Sequence, residues 1–191
     1  MVRKGKRKLT TSFSAKRLAV ATVLGLAVLG LARMSFANDA GLVADAKHTI
    51  TVFKKTEPGI EKFFHNSAGY VVFPGIGKGG LGVGGAHGTG VLFVRGAPAG
   101  KVKLTQVTVG AQIGGEEFSE VIFFESPAGV AELKQGKTSF AAQASAVALK
   151  SGAAATAKYA SGVVVFTATK EGLMAEASIG GQKFSYEPLS K

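Results

Sequence analysis

The sequence predicts an α+β fold: a single domain in which N-terminal helices accompany a glycine-rich, strongly twisted antiparallel β-sheet or partly closed barrel. Three observations carry this expectation. Clear helical spacing of apolar residues is confined to positions 39–65. From Gly69 onward, short β-branched or aromatic runs recur between Gly, Pro and Ser. Residues 69–115 also hold 15 of the 27 glycines, a density that no helix interior tolerates.

The chain begins with a segment of different character. Of 191 residues, 23 are Lys or Arg against 12 Asp or Glu, a formal charge of +11. Eight of those cations (Arg3, Lys4, Lys6, Arg7, Lys8, Lys16, Arg17, Arg33) fall within residues 1–37, which contain no acid. The rest of the chain carries only +3. Nucleic acid is therefore not an expected partner, since that reading needs the basic residues on the folded domain. Leu18 to Ala32 is continuously apolar or small apart from Thr22, and small Ser35 and Ala37 precede Asn38-Asp39. This is the order of a secretory signal peptide, with cleavage expected between Ala37 and Asn38. A run of 15 residues falls short of the roughly 20 that span a bilayer. The chain has no cysteine, which excludes lipoprotein acylation, disulfides, thiolate metal sites and a cysteine nucleophile. The expected mature form is residues 38–191, periplasmic or secreted, enough for one domain that buries roughly 70% of its unfolded surface.

Within it, Leu42, Val43, Ala46, Ile50 and Phe53 recur at three- and four-residue spacing, with Asn38 or Asp39 placed to cap the start. Lys54-Lys55 occupies the last turn, where cations suit the helix dipole. After Pro58, residues 59–65 read as a second short helix presenting Ile60, Phe63 and Phe64. Two readings of this segment stay open. It is a core-packing amphipathic pair, or its Lys54, Lys55 and Lys62 meet an anionic surface.

The β-rich part spans 69–187. Strands are expected at 70–73, 90–94, 102–109, 121–124, 162–166 and 184–186. Gly69–Phe73 followed by Lys78, Gly80 and Leu81 resembles Gly162–Phe166 followed by Lys170, Gly172 and Leu173. Ile113-Gly-Gly-Glu-Glu-Phe-Ser119 recurs as Ile179-Gly-Gly-Gln-Lys-Phe-Ser185. Gly-Gly is a hairpin signal, so either two related strand-turn-strand units are present or a glycine-rich β protein simply reuses such words. Residues 126–135 read as a short helix with Pro127 near its first position. Residues 140–160 fit helix by alanine content and strand by alternation.

Chemistry-bearing motifs are few. Gly75-Ile-Gly-Lys-Gly-Gly80 satisfies GxGxxG after a strand, but no helix can follow it, and no acid lies between Glu61 and Glu116 to hold a ribose. His48, His65 and His87 have no metal-ligand spacing, and no GxSxG is present. Glu116, Glu117, Glu120 and Glu125 cluster around one expected strand and read as a solvated face. The expectation is a protein without catalytic residues, metal or cofactor. What remains is a loop with Gly75, Gly77, Gly79, Gly80, Gly82, Gly84 and Gly85 around Lys78. Such a loop exposes backbone N–H groups beside a cation, which suits a phosphate or lipid head group. An incidental glycine turn is the plainer alternative.

Gly69-Tyr-Val-Val-Phe-Pro-Gly-Ile-Gly-Lys-Gly-Gly-Leu-Gly-Val-Gly-Gly-Ala-His-Gly-Thr-Gly-Val91 resembles the signature of the SYLF lipid-binding domain, found in fungal actin-patch proteins, animal phosphoinositide-binding adaptors and exported bacterial proteins. Gly110–Ser119 with Val121–Phe124, and Lys170–Lys183, are similar to its next and closing blocks. The resemblance covers about residues 40–187 in consistent order. It implies a non-enzymatic domain that binds anionic phospholipids or phosphoinositides, with Lys54, Lys55, Lys62 and Lys78 as candidate contacts. Lys101-Val-Lys103 stands where many relatives carry a tryptophan. Actin is not an expected partner of an exported protein, whereas an envelope protein partner stays open.

Overall fold

The computed structural model describes residues 39–141, 144–169 and 177–190. The expected cleavage pair, Ala37 and Asn38, lies outside them. Asp39–Lys191 forms a compact unit by itself, and both hydrophobic cores are drawn from it.

Helix α1 covers 39–56. Ala46 and Phe53 are buried, and Leu42, Val43 and Ile50 pack beside them, as the apolar spacing requires. Asp39 does not cap this helix. Its carboxylate accepts from Lys101 Nζ at 2.8 Å and from the Ser190 backbone N–H at 3.0 Å. Being buried, it takes the cation within reach rather than stay uncompensated. A 3-10 turn at Pro58–Ile60 follows, where Glu57 Oε1 accepts from the Gly59 N–H at 3.0 Å. It leads into α2, Glu61–Asn66.

Strands β1 (Gly69–Val94) and β2 (Ala97–Phe124) form one long hairpin, from Gly69 opposite Phe124 to Val94 opposite Ala97, whose register shifts between Phe73 and Ile76, between Leu81 and Val83 and between Leu92 and Phe93. Arg95 and Gly96 turn it with φ of 54° and 77°, the pair of positive values that a two-residue type I′ turn needs. The expected glycine loop is thus a correction: residues 75–85 are extended strand, with Lys78 opposite Glu116 and Gly79 opposite Gly115. Glycine density excludes helix but does not require a turn. Here the missing Cβ atoms let the ribbon fold back on itself. A Cβ on Gly90 would lie 2.5 Å from the Val72 carbonyl oxygen, and one on Gly88 would lie 3.0 Å from that of Gly75. The two halves of β1 are therefore neighbours, and the Tyr70 and Phe93 rings stack at 5.3 Å.

The far edge of β2 is shared. Its 118–124 stretch pairs with β4 (Val163–Thr169) and its 100–105 stretch with β6 (Lys183–Pro188), both antiparallel. Between these come α3 (Pro127–Lys134), capped by the Ser126 hydroxyl, and then β3 (Ser145–Ala148), α4 (Ala153–Thr156) and β5 (Ala177–Ser178). β3 runs parallel to β4 and pairs on its other side with β5. The six described strands make one sheet that does not close into a barrel. The ambiguous stretch 140–160 thus holds both a strand and a short helix.

Both faces of the sheet are buried. Val71, Phe73, Leu92, Phe118, Ile122 and Phe124 belong to one core. Tyr70, Val72, Val91, Phe93, Val121 and Phe123 join Phe53, Ile60 and Phe63 of the helical segment in the other. This explains why the strands read as unbroken apolar runs, since alternation appears only where one face is wet.

Over its described part the internal repeat is not a structural one; Lys170, Gly172 and Leu173 lie outside the described residues. Tyr70 and Val164 both stand opposite Phe123, an offset of 94, whereas the words align at 93. One residue out of step inverts every side chain, so Phe73 and Phe166 enter different cores. Likewise Gly114-Gly115 lies in the β1–β2 ladder, while Gly180-Gly181 is a turn with Gly181 at φ 78°.

Candidate functional site

The candidate cations do not converge. Lys54 donates to Glu61 Oε1 at 2.9 Å and lies 5.2 Å from the Phe64 ring centroid. Lys62 donates to the Ala154 carbonyl at 2.6 Å and lies 5.0 Å from the Phe63 ring centroid. These two hold the helical segment to itself and to α4, which favours the core-packing reading for them. Glu61 is correspondingly more acidic than usual because Lys54 hydrogen-bonds its carboxylate.

Lys55 is different. It is exposed and forms no hydrogen bond or ion pair among the described residues. His48, Val52 and Lys55, spaced four and three apart, share one face of α1, flanked by exposed Lys47 and Asp45. Val52 is 42% exposed, one of two large hydrophobic side chains that stand out so among the described residues. Val52 and Lys47 join Lys55 as residues that helical spacing can show, Val52 three residues before it and Lys47 two turns before it.

Lys78 borders an open hollow of about 710 Å³ at the bend of the β1–β2 ribbon, lined also by Gly77, Gly79, Gly85, His87, Gly115, Glu116 and Glu117. Glu116 stands directly across the ladder from Lys78 and Glu117 across from Gly77. Among the described residues one lysine faces two carboxylates, which makes Lys78 a poor anion contact, because opposite charges across a strand pair attract each other. Gly80 and Gly82 continue β1, with Gly80 opposite Gly114. None of Lys54, Lys55 and Lys62 reaches it.

The acids do not form one solvated face. Glu116, Glu117 and Glu125 are exposed, but Glu120 is fully buried. It stands between Phe73 of β1 and Thr167 of β4, and its Oε2 accepts from Gln182 Nε2 at 3.1 Å. Its Oε1, Gln182 Oε1 and Thr167 Oγ1 are buried without a partner. With no cation opposite it, desolvation pushes the Glu120 carboxyl up to about 8 despite the Gln182 hydrogen bond, so it is neutral at pH 7. His48, His65 and His87 are all exposed. Among the described residues no three His, Asp or Glu side chains converge as they would on a metal ion.

No protein-family model matches the chain, and no curated protein matches it in sequence.

Proposed function

We propose that this chain is an exported, non-enzymatic module that attaches peripherally to anionic lipid head groups. The three ordered motifs that resemble a SYLF domain suggest the ligand class. The observation that carries the reading is the outer face of α1, where His48 and Lys55 share a face with the exposed Val52 and Lys47 and Asp45 flank it. A small apolar contact beside exposed lysines suits a membrane surface. Lys78 is the weaker contact because Glu116 and Glu117 stand beside it. Each cation near an anionic leaflet contributes about 1 kcal/mol, so attachment is weak and fades with salt as the Debye length shrinks.

Co-sedimentation of residues 38–191 with phosphatidylglycerol-containing and pure phosphatidylcholine vesicles tests this. Lys47→Gln with Lys55→Gln should weaken anionic binding by about 2 kcal/mol, roughly 30-fold, and Lys78→Gln by less. Equal binding to both vesicle types at low salt would sink the reading. The alternative, a periplasmic structural or protein-interaction module, draws on Val107. It is 73% exposed on β2 just past the stretch that β6 covers, a place where a partner strand could add. Repeated capture of one envelope protein by cross-linking through position 107, without vesicle binding, would favour it.

A further inference from the structure

A second cavity lies away from α1 and from the Lys78 hollow. It measures about 680 Å³ and is walled by the segment after α3, by β3 and by the start of β4. That volume falls in the range of small-molecule sites, roughly 300–1,000 Å³. Phe140, Val147, Val163 and Ile179 give it an apolar lining, and Lys137 and Lys158 line it while remaining exposed, which puts them at its mouth. Neither lysine has an ion-pair partner among the described residues, and Glu132 is the one acid in the described lining.

These features select among ligands. A peptide added as an extra strand finds little edge here, because β3 pairs with β4 at Val147–Ala148 and with β5 at Ser145–Ala146, and at the start of β4 Val163 already bridges Ala160. A fully polar anion would satisfy the lysines but leave the apolar lining against water. An uncharged hydrocarbon would do the reverse. An amphiphile matches both halves, with its chain on the apolar lining and its negative end between two cations that outnumber the single carboxylate.

We propose that this groove binds a single acyl chain ending in an anionic head. The inference rests on the lipid reading above for the origin of its ligand, a membrane amphiphile, but uses none of the α1 or Lys78 contacts. It would let the protein hold one lipid-derived molecule away from the bilayer as well as touch the surface.

Calorimetric titration of residues 38–191, a unit whose two cores are self-contained, with sodium laurate below its micellar concentration tests the proposal. Saturable one-to-one binding is expected. Lys137→Glu with Lys158→Glu should weaken it at least tenfold while leaving binding of uncharged monolaurin within threefold. Ala160→Trp, at an exposed lining position, should fill the groove and weaken both ligands, with circular dichroism confirming that each variant is folded. Absence of saturable laurate binding, or laurate affinity unmoved by both variants, would overturn the proposal even if vesicles still bind. Laurate binding with the expected variant pattern but no preference for anionic vesicles would uphold the groove and remove the α1 surface reading.

Discussion

Replacing Glu120 by glutamine should make the protein more stable at neutral pH, although it removes a charged residue type from the middle of a strand. In the folded chain the carboxyl keeps its proton to about pH 8, because burial penalises the anion and only Gln182 offers a hydrogen bond. In the unfolded chain it releases that proton near its ordinary value of 4.5. The folded state therefore binds one more proton than the unfolded state between these values, and stability falls as pH rises through that window. The slope is about 1.4 kcal/mol per pH unit. From pH 4.5 to pH 7 the loss amounts to about 3 kcal/mol, and it levels off above about pH 8. Glutamine has nearly the same shape, can still meet Gln182, and does not titrate. Glu120→Gln should match the parent at pH 4.5 and exceed it by about 3 kcal/mol at pH 7, roughly 6–12 °C in melting temperature for a domain of this size. Thermal unfolding of both proteins by circular dichroism at pH 4.5, 7 and 8.5 measures the difference. A gap that does not widen with pH, or a variant less stable than the parent at pH 7, would refute the assignment of a neutral buried acid.

Asp39→Ala removes the acceptor of both Lys101 and Ser190; it should cost about 1–3 kcal/mol and speed amide exchange in the first turns of α1. The Asp39 carboxyl is held below its ordinary value by the Lys101 hydrogen bond first and the Ser190 N–H second. Its contribution is therefore present above about pH 4 and is lost as pH falls below that, which acid titration of the parent and variant would resolve. Gly90→Ala should destabilise by about 1–3 kcal/mol or more, because the added carbon meets the Val72 carbonyl and the Phe73 ring. Gly41→Ala, on an open position of α1, should stabilise by about 0.5–1 kcal/mol, and urea titration of the pair checks both signs. Amino-terminal sequencing of the exported protein should begin at Asn38; a product that retains Met1 would remove the signal-peptide reading.

Much of this architecture is legible in the residues. The apolar spacing of 42–53, the Pro58 break and the Ser126-Pro127 start place α1, α2 and α3, and the β-branched runs place the strands. The glycine-rich segment is not legible in the same way. A strand declares itself through alternating side chains, and Gly75 to Gly85 has too few side chains to alternate. Burial of Glu120 was readable in principle, since it shares a period-two face with Phe118, Ile122 and Phe124, but its acidic neighbours suggested solvent. Partners of Lys54 and Lys62 lie elsewhere in the chain, and no local pattern announces them. The second cavity draws on segments from Phe124 to Ile179, so only the folded chain displays it.

The hydrogen bond from Ser190 to Asp39 has a topological meaning. It brings Asp39 of α1 and Ser190 within 3.0 Å of each other, so in a chain cut to residues 39–190 a handful of linking residues would join the two into a ring. Opening that ring between Arg95 and Gly96, at the tip of the long ribbon, would give a permuted protein with the same strand order and the same two cores. In that rearranged chain the ribbon arms would be joined at the tip by their ladder alone, exposing how far the tight turn sets their register.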